Sequence, residues 1–465
     1  MTAAKARPSR GCTVRPDVDA PLTAHWLLLD AGPLILHPAS LYLTMALQGP
    51  FVVVADSPAV DVVAALRAEG AFPIIEASWA DAAAALSSVE PEAIVLAEPC
   101  GDSFRAAALA KALAATSKKA DRALTPILAR TRDDGAPVLP DALVIAANAP
   151  VERINRRLTS LLRIRALHAT VLRRTTTLAS RGELPPELPS SDPLDDATVL
   201  LIGRGRCFPA LSVALGERVG LIGALSVESA ARTLNARDID GIVIGDGFGP
   251  RIVEALLTVL ADDVRFRDLP VAVLGGHPAT IEPFCLGLPN LERTAEGPER
   301  LVERFLPFVR VHAFGQRLRR MLKSLDAHGM VDPDTGLLAN EAFWRDLNRA
   351  VDDAEKRGIG LSIARFSFAH ANRRLSVDAA RVLSRLMRQV DFACREADNS
   401  IFAVFTETDL REAHVIARRI ASVLKNTMLA PEKKPIDAAV TLATLKSTDS
   451  VDSLIARVVG EAPGR

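Results

Sequence analysis

This sequence has few Tyr and Trp residues, the aromatic types that stack on nucleobases. It also has no excess of charge of either sign. The 465 residues include one Tyr and three Trp, which argues against a surface that stacks single-stranded nucleic acid. The 56 basic and 56 acidic residues balance, so no net field favours nucleic acid or an anionic membrane. We therefore expect neither nucleic acid nor a membrane among the partners.

Paired cysteines and long uninterrupted apolar runs are also missing. The five cysteines stand singly, which fits neither a disulfide framework nor a zinc site and suits a reducing compartment. The apolar segment 22–47 is interrupted by Asp30, Gly32, Pro33 and Pro38, whereas a spanning helix needs about 20 apolar residues in succession. The sequence predicts a cytoplasmic protein without membrane insertion or bound cofactor.

Short β-branched runs alternate with helical periods over two stretches of the chain. Strands of about five residues followed by helices of 10 to 15 predict βαβ units with a parallel sheet. The stretch 184–193 is rich in Pro and Ser and separates the two series, which indicates a linker. The predicted boundaries are a partly disordered tail at 1–44, α/β domains at 45–175 and 196–315, a linker at 176–195, and a third domain at 316–465.

The first two domains resemble the receiver domains of two-receiver response regulators, which have a doubly wound, flavodoxin-like fold. The resemblance implies an acidic pair after the first strand and a phosphoacceptor Asp after the third. Ala55-Asp56 and Gly203-Arg204 stand at the acidic pairs, and Ala97 stands at the first acceptor. Asp246 is a weak candidate for the second acceptor, because it also suits the turn Asp-Gly-Phe-Gly-Pro that it begins. We expect these two domains to serve dimerisation or partner docking rather than phosphorylation.

The third domain carries Asp332-Pro-Asp-Thr-Gly-Leu337 and, further along, Arg388-Gln-Val-Asp391 ahead of the turn Ala397-Asp-Asn-Ser-Ile401. These segments resemble the GGDEF domain of diguanylate cyclases, which implies an α/β domain around a mostly antiparallel central sheet. In that family an Arg-x-x-Asp segment binds the product, cyclic di-GMP, at an inhibitory site. The resemblance places Arg388 and Asp391 there, with Arg419 as a third contact. The four-residue pattern recurs elsewhere in this chain, so an ordinary surface ion pair is the alternative.

The positions that support catalysis in the family are occupied by other residue types. Metal-bound GTP requires carboxylates, and the turn needs glycines for close backbone approach. The altered positions are Ala339, Asn348, Ser367, Ala369, Asn399 and Ser400. This pattern predicts that the chain is not an enzyme and binds no metal.

The sequence thus favours a catalytically inactive GGDEF signalling protein that acts as a cyclic di-GMP receptor. A homodimer is expected, and a protein partner whose identity the sequence does not give. The first alternative is an interaction scaffold that needs no ligand, and the second is a residual diguanylate cyclase.

Overall fold

The strands of the first sheet are short and mostly apolar, and all but the edge strand Phe72–Ala77 are largely buried, as the β-branched runs predict. The computed structural model describes residues 47–117, 122–131, 139, 142–188, 193–276, 278–294, 297–368, 373–427, 438–447 and 449–460, all within one compact unit. The predicted tail at 1–44 lies outside these residues. We call residues 47–180 the first unit, residues 194–325 the second unit and residues 326–460 the C-terminal unit.

The first unit is a parallel sheet of five strands in the order β2-β1-β3-β4-β5. Strand β3 is buried along its whole length, as expected of a parallel sheet covered on both faces. The elements are β1 (Gln48–Val54), α1 (Val60–Ala68), β2 (Phe72–Ala77), α2 (Ala82–Ser88), β3 (Ala93–Leu96), α3 (Ser103–Ser117), β4 (Ile127–Thr131), β5 (Leu143–Ala146) and α4 (Val151–Ser180).

The second unit repeats this architecture, with parallel strands in the order β10-β9-β8-β6-β7. Its elements are β6 (Thr198–Ile202), α5 (Phe208–Gly216), β7 (Gly220–Ala224), α6 (Val227–Ala236), β8 (Gly241–Ile244), α7 (Pro250–Asp262), β9 (Val271–Leu274), α8 (Pro278–Ile281), β10 (Leu291–Thr294) and α9 (Pro298–Leu325). Numbered within each unit, both sheets read 2-1-3-4-5, the order of flavodoxin-like doubly wound folds. The predicted α/β class with parallel sheets is confirmed, while a receiver identity of the two units stays a prediction.

The C-terminal unit is built around a sheet in the order β12-β13-β11-β14, in which every pairing is antiparallel. Strand β11 is central, and apolar residues of both its faces are buried. The elements are α10 (Asn340–Arg357), β11 (Leu361–Phe368), α11 (Arg373–Leu386), β12 (Phe392–Arg395), β13 (Ile401–Thr406), α12 (Leu410–Thr427), β14 (Ala438–Thr444) and α13 (Val451–Val459).

Helix α4 runs to Ser180 and so extends into the stretch 176–195 that the sequence predicts as a linker. Its last turns stay helical because they pack on the C-terminal unit. The Thr177 hydroxyl donates a 2.7 Å hydrogen bond to Asp346 on α10, and Leu178 is fully buried. Residues 189–192 lie outside the described part of the chain.

Buried arginines on α4 bind acidic residues of all three units. Arg165 pairs with Glu92 of the first unit, Arg157 with Glu292 of the second, and Arg173 with Asp346 of the C-terminal unit. Arginine is rarely buried unless it is paired, so these contacts define where the units meet. Among the described residues, no helix is long and apolar enough to cross a bilayer.

Candidate functional site

Arg388 and Asp391 lie on the short turn that joins α11 to β12. The Asp391 amide donates a 3.2 Å hydrogen bond to the Arg388 carbonyl and closes this turn. Asp391 is 7% exposed, and its Oδ1 accepts a 3.1 Å hydrogen bond from the Thr406 amide at the end of β13. The contact fixes the carboxylate against the sheet.

The charges of this pair are only partly satisfied. Burial raises the pKa of Asp391 from 3.8 to about 6, against the opposing charge of Arg388. Both terminal nitrogens of Arg388, Nη1 and Nη2, are buried and donate no hydrogen bond to any described residue. Buried donors in native proteins are nearly always paired, so the two Arg388 nitrogens are donors that a bound acceptor could use.

These groups face a cleft of about 200 Å³ that the C-terminal unit shares with α4 and α9. Its charged lining comprises Arg174, Arg319, Lys323, Arg388, Asp326 and Asp391. Four basic and two acidic side chains leave an excess of positive charge, which favours an anionic ligand. The remaining lining includes Leu322, Leu337, Met387 and Phe392, so a ring would meet apolar side chains there.

Arg174 is the most constrained of the basic residues. Its Nε lies 2.9 Å from Asp346 Oδ2 and its Nη1 lies 3.8 Å from Asp326 Oδ1. Arg174 therefore serves mainly to join α4 to the C-terminal unit. Arg388, with two buried nitrogens that donate to no described residue, is better placed than Arg174 to bind a ligand directly.

The third residue that the sequence places at this site is elsewhere. Arg419 lies half-buried on α12, a helix that packs against β14, β11 and α11, and it is not among the residues that line the cleft. Arg319 and Lys323 of α9 occupy the cleft instead. Their four-residue spacing puts them on one face of the helix, a signal visible in the sequence, but only the packing of α9 brings that face to Arg388.

The altered turn forms a hairpin between β12 and β13. The Glu396 amide donates to the Ser400 carbonyl, and Asn399 adopts a left-handed conformation with φ of 66°. Asn399 Oδ1 accepts from Arg395, and the buried Ser400 hydroxyl donates to Asp398, which pairs with Arg365. The polar side chains of the turn thus form hydrogen bonds and ion pairs with one another and with the adjacent strands.

The other altered positions are distributed around the same sheet. Ala339 caps the start of α10, and Asn348 is exposed with its amide donating to the Trp344 carbonyl. Ser367 lies near the end of β11, and Ala369 lies outside the described residues. Asn340, the first residue of α10, donates a 2.7 Å hydrogen bond to Glu396. Within the described part of the chain, no three His, Cys, Asp or Glu residues are grouped as metal ligands.

In both sheet units, an acid after the third strand binds backbone amides of the loop after the first strand. Asp246 accepts from the Cys207 amide at 3.1 Å, and Glu98 accepts from the Asp56 and Ser57 amides. Each carboxylate therefore ties two loops together at the edge where doubly wound sheets bind ligands. Phosphorylation of Asp246 stays an untested prediction.

Solved GGDEF domains are among the known structures that this chain resembles. No protein-family model and no curated protein matches the chain. The GGDEF domain with its coiled coil of DgcB from Caulobacter crescentus, in complex with c-di-GMP, is 20% identical, with 31% of this chain and 84% of that chain covered and a TM-score of 0.27. The GGDEF domain of FimX from Pseudomonas aeruginosa is 16% identical over 28% of this chain and 90% of that one, with a TM-score of 0.25.

The active GGEEF domain of a diguanylate cyclase from Vibrio cholerae is 14% identical over 23% of this chain and 76% of that chain, with a TM-score of 0.22. The prediction from the sequence that this chain is not an enzyme is wrong. The solved structures that it resembles include domains of diguanylate cyclases.

Proposed function

We propose that this chain is a GGDEF signalling protein that binds cyclic di-GMP in the cleft around Arg388 and Asp391. The observation that carries the proposal is the pair of buried, unpaired Arg388 nitrogens beside a buried carboxylate. A guanine presents O6 and N7 as two adjacent acceptors, which match the arginine fork. Its N–H groups are donors that suit Asp391, and the phosphates suit the positive cleft.

The size of the cleft limits how the dinucleotide enters. Its volume of about 200 Å³ is below the roughly 300–1,000 Å³ of sites that enclose a drug-sized ligand. We therefore expect one guanine of the dinucleotide to occupy the cleft and the second guanine to lie outside it. Arg319 and Lys323 on α9 provide charge for the phosphates.

The two sheet units are proposed as receiver-like domains for docking or homodimer formation. Their 2-1-3-4-5 strand order supports this assignment, which rests on fold analogy. The alternative is a scaffold that binds protein partners without a ligand. Arg388 distinguishes the two, since a scaffold has no use for unpaired guanidinium donors.

Isothermal titration of cyclic di-GMP into the full-length protein tests the proposal. We expect micromolar or tighter binding, and a loss of about 10- to 100-fold in Arg388→Ala, because hydrogen bonds to a charged group contribute about 1.5–3 kcal/mol. Arg385→Ala is the matched control. It removes an exposed arginine from the last turn of α11 and is expected to leave the affinity unchanged.

Circular dichroism establishes that each variant is folded. Absence of binding heat from folded wild-type protein would overturn the receptor proposal and favour the scaffold. Equal loss of affinity in Arg385→Ala and Arg388→Ala would place the ligand outside the cleft.

A further inference from the structure

The first unit and the C-terminal unit meet through a buried carboxylate. Glu92 stands directly before β3 and is 2% exposed. Arg357, the last residue of α10, forms a bidentate contact with its carboxylate. Arg357 Nε lies 2.6 Å from Glu92 Oε1, and Nη2 lies 2.7 Å from Oε2. A bidentate contact of this kind fixes the orientation of the guanidinium relative to the carboxylate as well as their separation.

Two further residues complete the cluster. Arg165 of α4 donates a 2.7 Å hydrogen bond to Glu92 Oε2, and Arg357 Nη2 also donates a 2.9 Å hydrogen bond to Glu407. Glu407 follows β13 directly and has a φ of 51°, a conformation that non-glycine residues rarely adopt. Burial alone would raise the pKa of Glu92, but Arg165 and Arg357 outweigh it and hold that pKa at about 2.

The backbones on either side approach closely. Gly49 has a φ of 96°, and a Cβ there would overlap Glu92 Cγ and lie 3.0 Å from Ile359 Cγ2. The Gly360 amide donates a 2.7 Å hydrogen bond to Gln48 Oε1, and a Cβ on Gly360 would lie 2.6 Å from that oxygen. Glycine is the residue that permits such approach, so this junction is a fitted contact.

We propose that Glu92, Arg165, Arg357 and Glu407 form a latch by which the first unit holds the C-terminal end of α10 and the end of β13 in the C-terminal unit. The latch ends at Glu407, next to Thr406, whose amide binds Asp391. Opening it releases α10's C-terminal end and the end of β13 together. The proposal stands on this junction alone and does not depend on which ligand the cleft binds.

Hydrogen exchange in the full-length protein measures the latch directly, because the Gly360 amide bonds across the junction and the Thr408 amide bonds to the Gly360 carbonyl. In Glu92→Gln we expect these two amides to exchange at least about tenfold faster, since loss of one charge leaves buried arginines uncompensated. Amides in β8 and β9 of the second unit are expected to keep their wild-type rates.

Glu341→Gln is the control, because it removes the same charge from an exposed ion pair with Arg345 on the same helix. Arg357→Lys keeps the charge but cannot form the bidentate contact. We expect it to accelerate exchange at the Gly360 and Thr408 amides as Glu92→Gln does. It decides the matter if Glu92→Gln fails to fold. Unchanged exchange at Gly360 in a folded variant, or equal acceleration in all three sheets, would overturn the latch.

Discussion

Replacing Glu292 by Ala is expected to lower the free energy of unfolding by about 3–5 kcal/mol, because it leaves buried arginines without a counter-charge. The Glu292 carboxylate lies 2.9 Å from Arg157, 3.4 Å from Arg153 and 3.2 Å from Arg304. Arg157 is fully buried, so water cannot replace the lost carboxylate. Urea unfolding followed by circular dichroism measures the change.

The pH dependence of this contribution has a defined sign. Burial alone would raise the pKa of Glu292, but Arg157, Arg153 and Arg304 outweigh it and lower that pKa below its ordinary value of 4.5. The carboxylate therefore stabilises the fold above pH 4.5, and the contribution is lost as the pH falls through the lowered pKa. The control is Glu303→Ala, which breaks an exposed pair with Arg300 and is expected to cost about 0–1 kcal/mol. If Glu292→Ala lowered the free energy of unfolding no more than Glu303→Ala does, the Glu292 cluster would contribute no more to stability than an exposed ion pair.

Asp391→Asn is expected to stabilise the protein at pH 7.5 and to weaken cyclic di-GMP binding at the same time. The folded-state pKa of about 6 exceeds the ordinary 3.8, so the ionised carboxylate opposes folding at neutral pH. At about 1.4 kcal/mol per unit, the gain is on the order of 2–3 kcal/mol. Asn keeps an oxygen for the Thr406 amide, but its amide nitrogen cannot accept from guanine.

Urea unfolding at pH 7.5 and pH 5 tests this sign. Because the folded state binds the proton more tightly, wild-type stability rises as the pH falls towards 5, and the advantage of the variant shrinks. Asp378→Asn removes an exposed carboxylate from α11 and is expected to change stability little. A variant that is less stable than wild type at pH 7.5 would contradict the assigned pKa.

Much of the fold is predictable from local patterns. The β-branched runs at 199–202 and 241–244 form β6 and β8, because burial on a sheet is what such residues favour. Arg388 and Asp391 are recognisable by their position relative to the turn and the strand after it. The structure brings them to one cleft.

The contacts that join the units were not predictable from the sequence. An arginine-rich helix ordinarily has solvated charges, yet Arg157 and Arg165 of α4 are buried. Their partners are Glu292, 135 residues away, and Glu92, 73 residues away. Pairing over such separations depends on how finished sheets pack, and local periodicity carries no information about it.

The spacing of the arginines on α4 also constrains the length of the chain. Arg157, Arg165 and Arg173 succeed one another at intervals of eight residues, or about 12 Å along a helix axis at about 1.5 Å per residue. A single inserted residue between two of them would turn everything beyond it by about 100°. Helix α4 thus fixes the orientation of each unit about one helix axis. We therefore expect insertions or deletions to be tolerated in the connections around α4 but not within it.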